Sequence, residues 1–227
     1  MKKAESWLDK TLRYRFENAE LFQQALTHRS ATSHNNERLE FLGDAVLDFV
    51  IADAVYRARK DASEGDLSKL RASLVKDESL AQLALELGVG EHLILGSGER
   101  KTGGHRRESI LADALEAIFG AVFLDAGFDA ASAIIERVFH KRLQELPELE
   151  DLRDPKTRLQ EWLQARAMEL PMYDLAGVTG KAHKRRFEVS CTVVAVSEVT
   201  RGESTTRRKA EQKAAAHMIE ILTEGQA

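Results

Sequence analysis

The chain has 227 residues, 43% hydrophobic and 31% charged with only 3 prolines, a composition typical of a globular protein. Its formal net charge is −4, from 33 basic and 37 acidic residues. Taken over the whole chain, this acidic balance argues against a nucleic-acid partner, because proteins that bind phosphate groups usually carry an excess of basic residues. The single cysteine, Cys191, excludes intrachain disulfides and zinc sites with several thiolates, since both need at least a pair.

Export and membrane insertion are not predicted. The longest stretch without a charged or strongly polar residue, Ala117 to Leu124, is far shorter than the ~20 apolar residues of a bilayer span. The lysines near the start are not followed by the apolar segment of a signal peptide. Together with the lone cysteine, these observations predict a cytoplasmic protein without a membrane partner.

An acidic segment bracketed by prolines divides the chain, in the sequence LPELEDLRDP. Such a segment is typical of a linker. We therefore predict a first domain over 1–146, a linker over 147–154 and a second domain over 155–227. Residues up to Arg153 carry a net charge of −6 and the rest carry +2, so the acidic excess belongs to the first domain.

The first domain is predicted to be helical nearly throughout, because apolar residues recur at spacings of three and four. The predicted helices are Asn18–Thr27, Glu37–Arg59, Glu64–Val75, Lys76–Leu87, Arg107–Asp125 and Ala130–Leu146. Glycines between Gly88 and Gly104 predict a loop before the fifth of these helices.

The second domain shows a different pattern, with clean alternation of apolar and polar residues over Arg185–Val196 that predicts a half-buried strand. The other predicted elements are a helix over Lys156–Met168, strands over Pro171–Val178 and around Val199, and a helix over Thr206–Leu222. The predicted fold class is therefore multidomain, an all-α domain followed by a small α+β domain of order α-β-β-β-α.

The helix that begins at Glu37 is apolar in almost every direction, which indicates burial, yet four carboxylates share one of its faces. At ~100° per residue they fall within a stripe of roughly 80°. They are Glu37, Glu40, Asp44 and Asp48. No basic residue three or four positions further on compensates these like-charge pairs, each costing on the order of 0.2–0.5 kcal/mol. A solvated acidic face is the alternative interpretation.

A second apolar helix presents Asp113 and Glu116 three residues apart on one face. Because buried charges must be paired or coordinate a metal, two such helices indicate cations between them. An all-oxygen ligand set favours Mg²⁺ or Mn²⁺, which predicts metal-assisted hydrolysis by an activated water. The sequence has no HExxH, GxSxG or GxxxxGK[ST] motif, and we predict no nucleotide cofactor.

The segment NERLEFLGDAVL, Asn36 to Leu47, resembles the signature of the ribonuclease III family. The resemblance continues in ALTHRS, EGDLSKLRASLV and GGHRRESILADALEAIFGAVFLD, and the C-terminal region is similar to a double-stranded-RNA-binding domain. It implies an endonuclease that cuts both strands of double-stranded RNA with Mg²⁺, leaving 5′-phosphate and 3′-hydroxyl ends with short 3′ overhangs. Precursors of ribosomal RNA and other structured transcripts are the substrates that the family implies.

The resemblance also implies roles for individual residues of the first domain. The implied metal ligands are Glu40, Asp44, Asp113 and Glu116, of which Asp44 and Glu116 are also catalytic, and the implied accessory acids are Glu37 and Glu64. In the family the nuclease domain is a homodimer, and the aromatic residue at the position of Phe41 packs into the partner. Spacing alone equally allows Phe41 a core position in its own subunit. Asp48 lies outside the motif.

RNA contacts are implied for polar residues of the second domain. They are Thr157, Gln160, Glu161, Gln164, His183, Arg207 and Arg208. The arginines begin the last helix, where the macrodipole favours an anion, although a solvated helix end is the alternative for a basic run. The sequence departs from the binding-domain family at Glu211, where a lysine is common, and at Ser204, where a glycine is common.

Two other interpretations remain open at this point. The same architecture could hold structured RNA without cutting it, as a non-catalytic double-stranded-RNA-binding protein, or serve as a structural protein with acidic faces. Retention of all the implied ligands favours the enzyme. Arg106 and Arg107 could contact phosphate or cap the glycine-rich loop.

Overall fold

The computed structural model describes residues 2–180, 185–194 and 196–224. The chain divides into two compact units, Met1–Leu149 and Glu150–Ala227. The division lies inside the segment 147–154 that the sequence marks as a linker. The first unit is helical and the second combines helices with a small sheet, which confirms the predicted fold class.

The first unit consists of seven α-helices among the residues that the structure describes. They are α1 (Lys2–Thr11), α2 (Ala19–Ala25), α3 (Glu37–Ala58), α4 (Glu64–Val75), α5 (Asp77–Leu87), α6 (Ser97–Lys101) and α7 (Glu108–Gln144). Short 3₁₀ helices cover Val89–His92 and Gly104–Arg106. In α7 the backbone leaves the helical conformation at Gly127 (φ 82°, ψ −177°), close to where two separate helices were predicted.

Helix α1 was not predicted, and its stability depends on contacts that are remote in the sequence. Leu8 of α1 and Leu12, which directly follows the helix, are each 1% exposed, so this segment contributes to the core. Trp7 donates from Nε1 to the Leu87 carbonyl at 2.7 Å and stacks on His92 with ring centroids 4.5 Å apart. The prediction of a loop between Gly88 and Gly104 was also incomplete, because this segment contains helix α6.

Helices α3 and α7 form the centre of the first unit and touch backbone to backbone. A Cβ atom added to Gly43 would lie 1.8 Å from the Glu116 carbonyl oxygen, and one added to Gly120 would lie 2.2 Å from the Leu39 carbonyl oxygen. Only residues without a side chain allow helices to approach so closely. The carboxylates of both helices are carried on the turns beside this contact.

Helix α7 is long and apolar enough to cross a membrane by length and composition alone. Much of its apolar surface faces the protein, since Leu111, Leu115, Ile118 and Phe119 are all 0% exposed. This is the pattern of a core helix. The apolar part of this helix is nevertheless longer than the stretch Ala117–Leu124, which is too short to predict a membrane span.

The second unit packs two helices on a three-stranded antiparallel sheet. Its elements are α8 (Pro155–Gln164), β1 (Met172–Thr179), β2 (Arg186–Thr192), β3 (Thr200–Ser204) and α9 (Arg207–Glu224). The order β1-β2-β3 includes a bulge in β1 between Leu175 and Gly177. Strand β2 ends at Thr192, before the predicted end at Val196. Leu159, Leu163 and Cys191 belong to the core of this unit.

We expect Gly43→Ala to destabilise the first unit by about 1–3 kcal/mol, because the new methyl group would meet backbone atoms that cannot rotate away. Chemical denaturation followed by helical circular dichroism measures the loss. Gly98→Ala is the matched control, since a Cβ atom at Gly98 meets nothing within 4 Å and should be neutral or stabilising by up to about 1 kcal/mol. Equal stabilities for the two variants would contradict the close contact of α3 with α7.

Candidate functional site

Three carboxylates from α3 and α7 meet beside the glycine contact. One oxygen each of Glu40, Asp113 and Glu116 lies within 4.8 Å of the others, and all three side chains are half-buried. Among residues 2–180, 185–194 and 196–224, no other group of His, Cys, Asp or Glu side chains has this geometry. The sequence had predicted that these two helices share a site, and the structure brings these three predicted residues together.

The carboxylates of Glu40, Asp113 and Glu116, called the acidic group below, repel one another, and burial together with this repulsion outweighs the basic side chains nearby. Burial raises the pKa of Glu116 to about 8, and the charges of Asp44 and Glu40 contribute to the rise. Burial, then the charges of Asp113 and Glu37, raise the pKa of Glu40 to about 7. Burial likewise raises the pKa of Asp113. A cluster of carboxylates whose ionised forms are disfavoured is poised to bind a cation.

Asp44 and Glu37 lie near the acidic group but outside it. Asp44 is exposed, one turn after Glu40 on α3, and its charge is the strongest of those that raise the pKa of Glu116. Glu37 is exposed at the start of α3 and forms an ion pair with Arg29 at 3.4 Å. Three of the four predicted metal ligands thus lie within 4.8 Å of one another, and Asp44 is exposed outside this group.

Glu64 lies apart from the acidic group within one chain. It begins α4, and its Oε1 accepts a hydrogen bond from the Ser68 hydroxyl at 2.9 Å. It lines a cavity together with Ala52 and Tyr56 of α3. Ala52 is twelve residues after Glu40, or roughly 18 Å along the helix axis. The accessory role implied for Glu64 therefore has no support from the geometry of a single chain.

A cavity of about 540 Å³ opens beside Glu40 and Asp113 and has both acidic and basic walls. Its basic residues are His28, Arg29 and Arg107, and the charges of the first two act to lower the pKa of Asp113. Arg107 forms an ion pair with Glu99 at 2.9 Å, which ties α6 to the start of α7. Of the two interpretations given for Arg107, this contact favours the structural one.

Asp77, which starts α5, was not predicted to belong to the site. Its charge raises the pKa values of both Asp113 and Glu116. An acidic residue in the first turn of a helix is ordinarily explained by the helix dipole, so the position of Asp77 in the sequence did not indicate that it lies near Asp113 and Glu116.

Asn36 was not predicted to be buried at the site either. It is 2% exposed beside the same cavity, and its Nδ2 has no hydrogen-bond partner among the described residues.

The donor set of the acidic group fits a hard divalent cation. All of its ligand atoms are carboxylate oxygens, which suit Mg²⁺ or Mn²⁺ and exclude sites that require thiolate or imidazole. All three side chains are only half-buried, and Glu40 and Asp113 line the cavity. The raised pKa values give a second argument, because a bound cation would remove the repulsion that disfavours ionisation.

Phe41 points away from the core of its own subunit. Its exposed fraction is 80%, which rules out the core position that its spacing allowed. Other exposed aromatic residues of the first unit include Phe49 and Phe128, whose rings make an edge-to-face contact at 5.4 Å. Exposed apolar side chains of this kind mark interaction surfaces when they are contiguous.

The residues predicted to contact RNA occupy exposed positions at the helices of the second unit. On α8 the exposed side chains are Thr157, Gln160, Glu161 and Gln164, opposite the buried Leu159 and Leu163. Arg207 and Arg208 begin α9, and both are exposed. His183, the remaining predicted contact, lies outside the described residues. The face is therefore accessible, although it is partly acidic through Glu161, which pairs with Arg153 at 3.3 Å.

Two family profiles match the chain. One, described as Ribonuclease-III-like, matches residues 18–143, and the other, described as a double-stranded RNA binding motif, matches residues 155–222. Together they cover both structural units. The matched ranges contain the acidic group and the exposed polar face, respectively.

Similar proteins extend over nearly the whole chain. Ribonuclease 3 of Dechloromonas aromatica (strain RCB) is 54% identical over 94% of this chain and 96% of its own. Ribonuclease 3 of Vibrio cholerae serotype O1 is 49% identical over 96% of this chain and 97% of its own.

Among solved structures, the nuclease domain of ribonuclease III from Campylobacter jejuni is 46% identical, with a TM-score of 0.58. This match covers 60% of this chain and 94% of that domain's chain. A second structure of that domain, 47% identical, covers 60% of this chain and 95% of its own with a TM-score of 0.58, and is described as showing flexibility in a region involved in dimer formation.

We expect the acidic group to destabilise the metal-free protein at high pH. Its raised folded-state pKa values mean that the folded state binds protons more tightly than the unfolded state, so stability falls as pH rises from about 4.5 to about 8. In chelator, Glu116→Gln should therefore melt above the parent at about pH 8.5 and close to it at about pH 5. Thermal unfolding across pH measures the difference.

Glu136→Gln is the matched control, because Glu136 is exposed on the same helix. It should track the parent at every pH. A parent whose melting temperature does not fall relative to Glu116→Gln as pH rises would contradict the raised pKa values assigned to this group.

Proposed function

The chain belongs to the ribonuclease III family and is a ribonuclease III-type endoribonuclease, and on this basis we propose that it hydrolyses double-stranded RNA with Mg²⁺ at the acidic group. Mn²⁺ is the proposed substitute. The observation that carries the proposal is the convergence of Glu40, Asp113 and Glu116 within 4.8 Å on two helices in backbone contact.

The residues of the chain act by binding and positioning. Glu40, Asp113 and Glu116 would hold the cation, and Asp44 would join them from the solvent side. When bound, the cation would supply an activated water and stabilise charge on the phosphodiester. The half-buried setting limits exchange with bulk solvent and strengthens the interaction between carboxylates and cation.

The second unit would supply the contacts that hold the duplex. Exposed polar side chains on α8 and arginines at the start of α9 suit recognition of A-form RNA by phosphate and 2′-hydroxyl contacts, which depend on shape more than on base sequence. The proposed products carry 5′-phosphate and 3′-hydroxyl ends with short 3′ overhangs. The proposed substrates are precursors of ribosomal RNA and other structured transcripts.

We further propose that the nuclease unit works as a homodimer. The surface around Phe41 supports this, since Leu124 lines the same groove and is also more than half exposed. The Campylobacter jejuni nuclease domain, with its region involved in dimer formation, is the related case. A dimer would present the acidic group twice, once for each strand of the duplex. The cytoplasm is the proposed compartment, consistent with the single unpaired thiol of Cys191.

We expect Glu116→Gln to bind duplex RNA and to cut it more than about a hundredfold more slowly, because one ligand charge is lost at nearly constant shape. A long RNA duplex, incubated with Mg²⁺ and separately with chelator, measures cleavage on a gel. Glu136→Gln serves again as the control and should cut at the parental rate. Cleavage by the parent in chelator would contradict the metal dependence, and normal cleavage by Glu116→Gln would show that Glu116 is not a ligand.

We expect Phe41→Glu to weaken self-association about tenfold or more, because a buried aromatic contact would be replaced by an unpaired charge. Sedimentation equilibrium over a range of concentrations gives the dissociation constant. Met172→Glu is the control, since Met172 is 59% exposed in the RNA-binding unit. If Phe41→Glu associates as tightly as this control, the proposed dimer surface is misplaced.

A further inference from the structure

Glu211, the residue that departs from the binding-domain pattern, lies between two cations. Its Oε2 accepts from the Lys156 ammonium of α8 at 2.5 Å, and its Oε1 accepts from Arg207 Nε at 3.0 Å, one turn earlier on α9. The side chain is only 14% exposed. These two contacts hold the pKa of Glu211 below its usual range, so the carboxylate is ionised when RNA is bound near neutral pH.

The two cations differ in how firmly they are held. Lys156 is 35% exposed, and its ammonium also lies 4.4 Å from the centroid of the Tyr173 ring. Contacts with a carboxylate and an aromatic face fix it in place. Arg207 is 56% exposed, and within the described part of the chain its ion pair is with Glu211. Arg207 is therefore the cation of the pair that can turn toward a ligand at lower cost.

We propose that Glu211 is an internal counter-anion that competes with the RNA backbone for Arg207 and thereby lowers the affinity of this unit for duplex RNA. The inference rests on the proposed function, in which Arg207 contacts a phosphate. Binding then requires Arg207 to exchange a carboxylate at 3.0 Å for a phosphate oxygen. The carboxylate that remains, half-neutralised by Lys156, also repels the incoming phosphate.

The expected effect is modest and has a definite sign. An ion pair in which one partner, here Arg207, is open to solvent changes an equilibrium by roughly two- to fivefold. Removing the charge of Glu211 should therefore tighten RNA binding by roughly two- to fivefold at low salt. It should also steepen the dependence of log affinity on log salt, by up to about one for a fully freed phosphate contact.

The test uses the full chain with a duplex RNA of fixed length in chelator, so that binding is measured without cleavage. Glu211→Gln keeps one oxygen for Lys156 and removes the charge that holds Arg207. We expect tighter binding and a steeper salt dependence than the parent. Unchanged or weaker binding would overturn the proposal, since weaker binding would mean that Glu211 pre-positions Arg207 for RNA.

Glu220→Gln is the matched control. Glu220 is exposed on the same helix, thirteen residues or about 20 Å beyond Arg207, so its removal changes net charge equally without touching the pair. It should shift binding less than Glu211→Gln. Equal shifts for the two variants would overturn the proposal in favour of a general charge effect.

A double-mutant cycle identifies Arg207 as the residue through which Glu211 acts. In an Arg207→Gln background, Glu211→Gln should give a clearly smaller gain, because only the direct repulsion of the phosphate is then removed, and a full gain there would overturn the assignment. Thermal unfolding of each variant separates loss of the α8 to α9 contact from the effect on RNA. Failure of the parent to bind duplex RNA at any salt concentration would contradict the proposed function itself, whereas a parent that binds, with Glu211→Gln unchanged, contradicts only the role of Glu211.

Discussion

The backbone contact between α3 and α7 is the constraint on which the first unit and its site depend. Gly43 faces the Glu116 carbonyl oxygen, and Gly120 faces that of Leu39, so the two helices meet without intervening side chains. Glu40 lies one turn before Gly43, and Glu116 lies one turn before Gly120. Because the axes are so close at this point, short carboxylate side chains from both helices reach one another within 4.8 Å.

The same contact explains how the fold tolerates clustered negative charge. Burial and mutual repulsion raise the pKa values of Glu40 and Glu116 to about 7 and about 8, which is an energetic cost to the metal-free protein. The helices that carry these groups are anchored by fully buried side chains, among them Leu47, Ile51, Leu115 and Ile118. Apolar packing along the remainder of α3 and α7 therefore offsets the cost at the site, as is common where function and stability conflict.

Local features of the site could be predicted from the sequence, and long-range ones could not. The stripe on α3 and the pair on α7 follow from helical periodicity, and the absence of partners for buried charges correctly indicated that the helices meet. Periodicity gives the direction of a side chain but not its reach, so it did not separate the exposed Asp44 from the three converging residues. The proximity of Asp77 and the distance of Glu64 depend on how α4 and α5 pack, and the existence of α1 depends on the contacts of Trp7.

The role of a carboxylate in this chain depends on the charged side chains around it more than on residue type or net charge. Glu116 has acidic neighbours and a raised pKa, whereas Glu211 lies between two cations and has a lowered one. The first is suited to recruiting a cation and the second to occupying an arginine. The whole-chain charge of −4 does not reflect this difference between the two parts of the chain, since residues up to Arg153 carry −6 and the remainder carries +2. An overall charge that argued against nucleic acid is therefore compatible with an enzyme that binds it, because the acidic excess is concentrated in the unit that holds the candidate metal site.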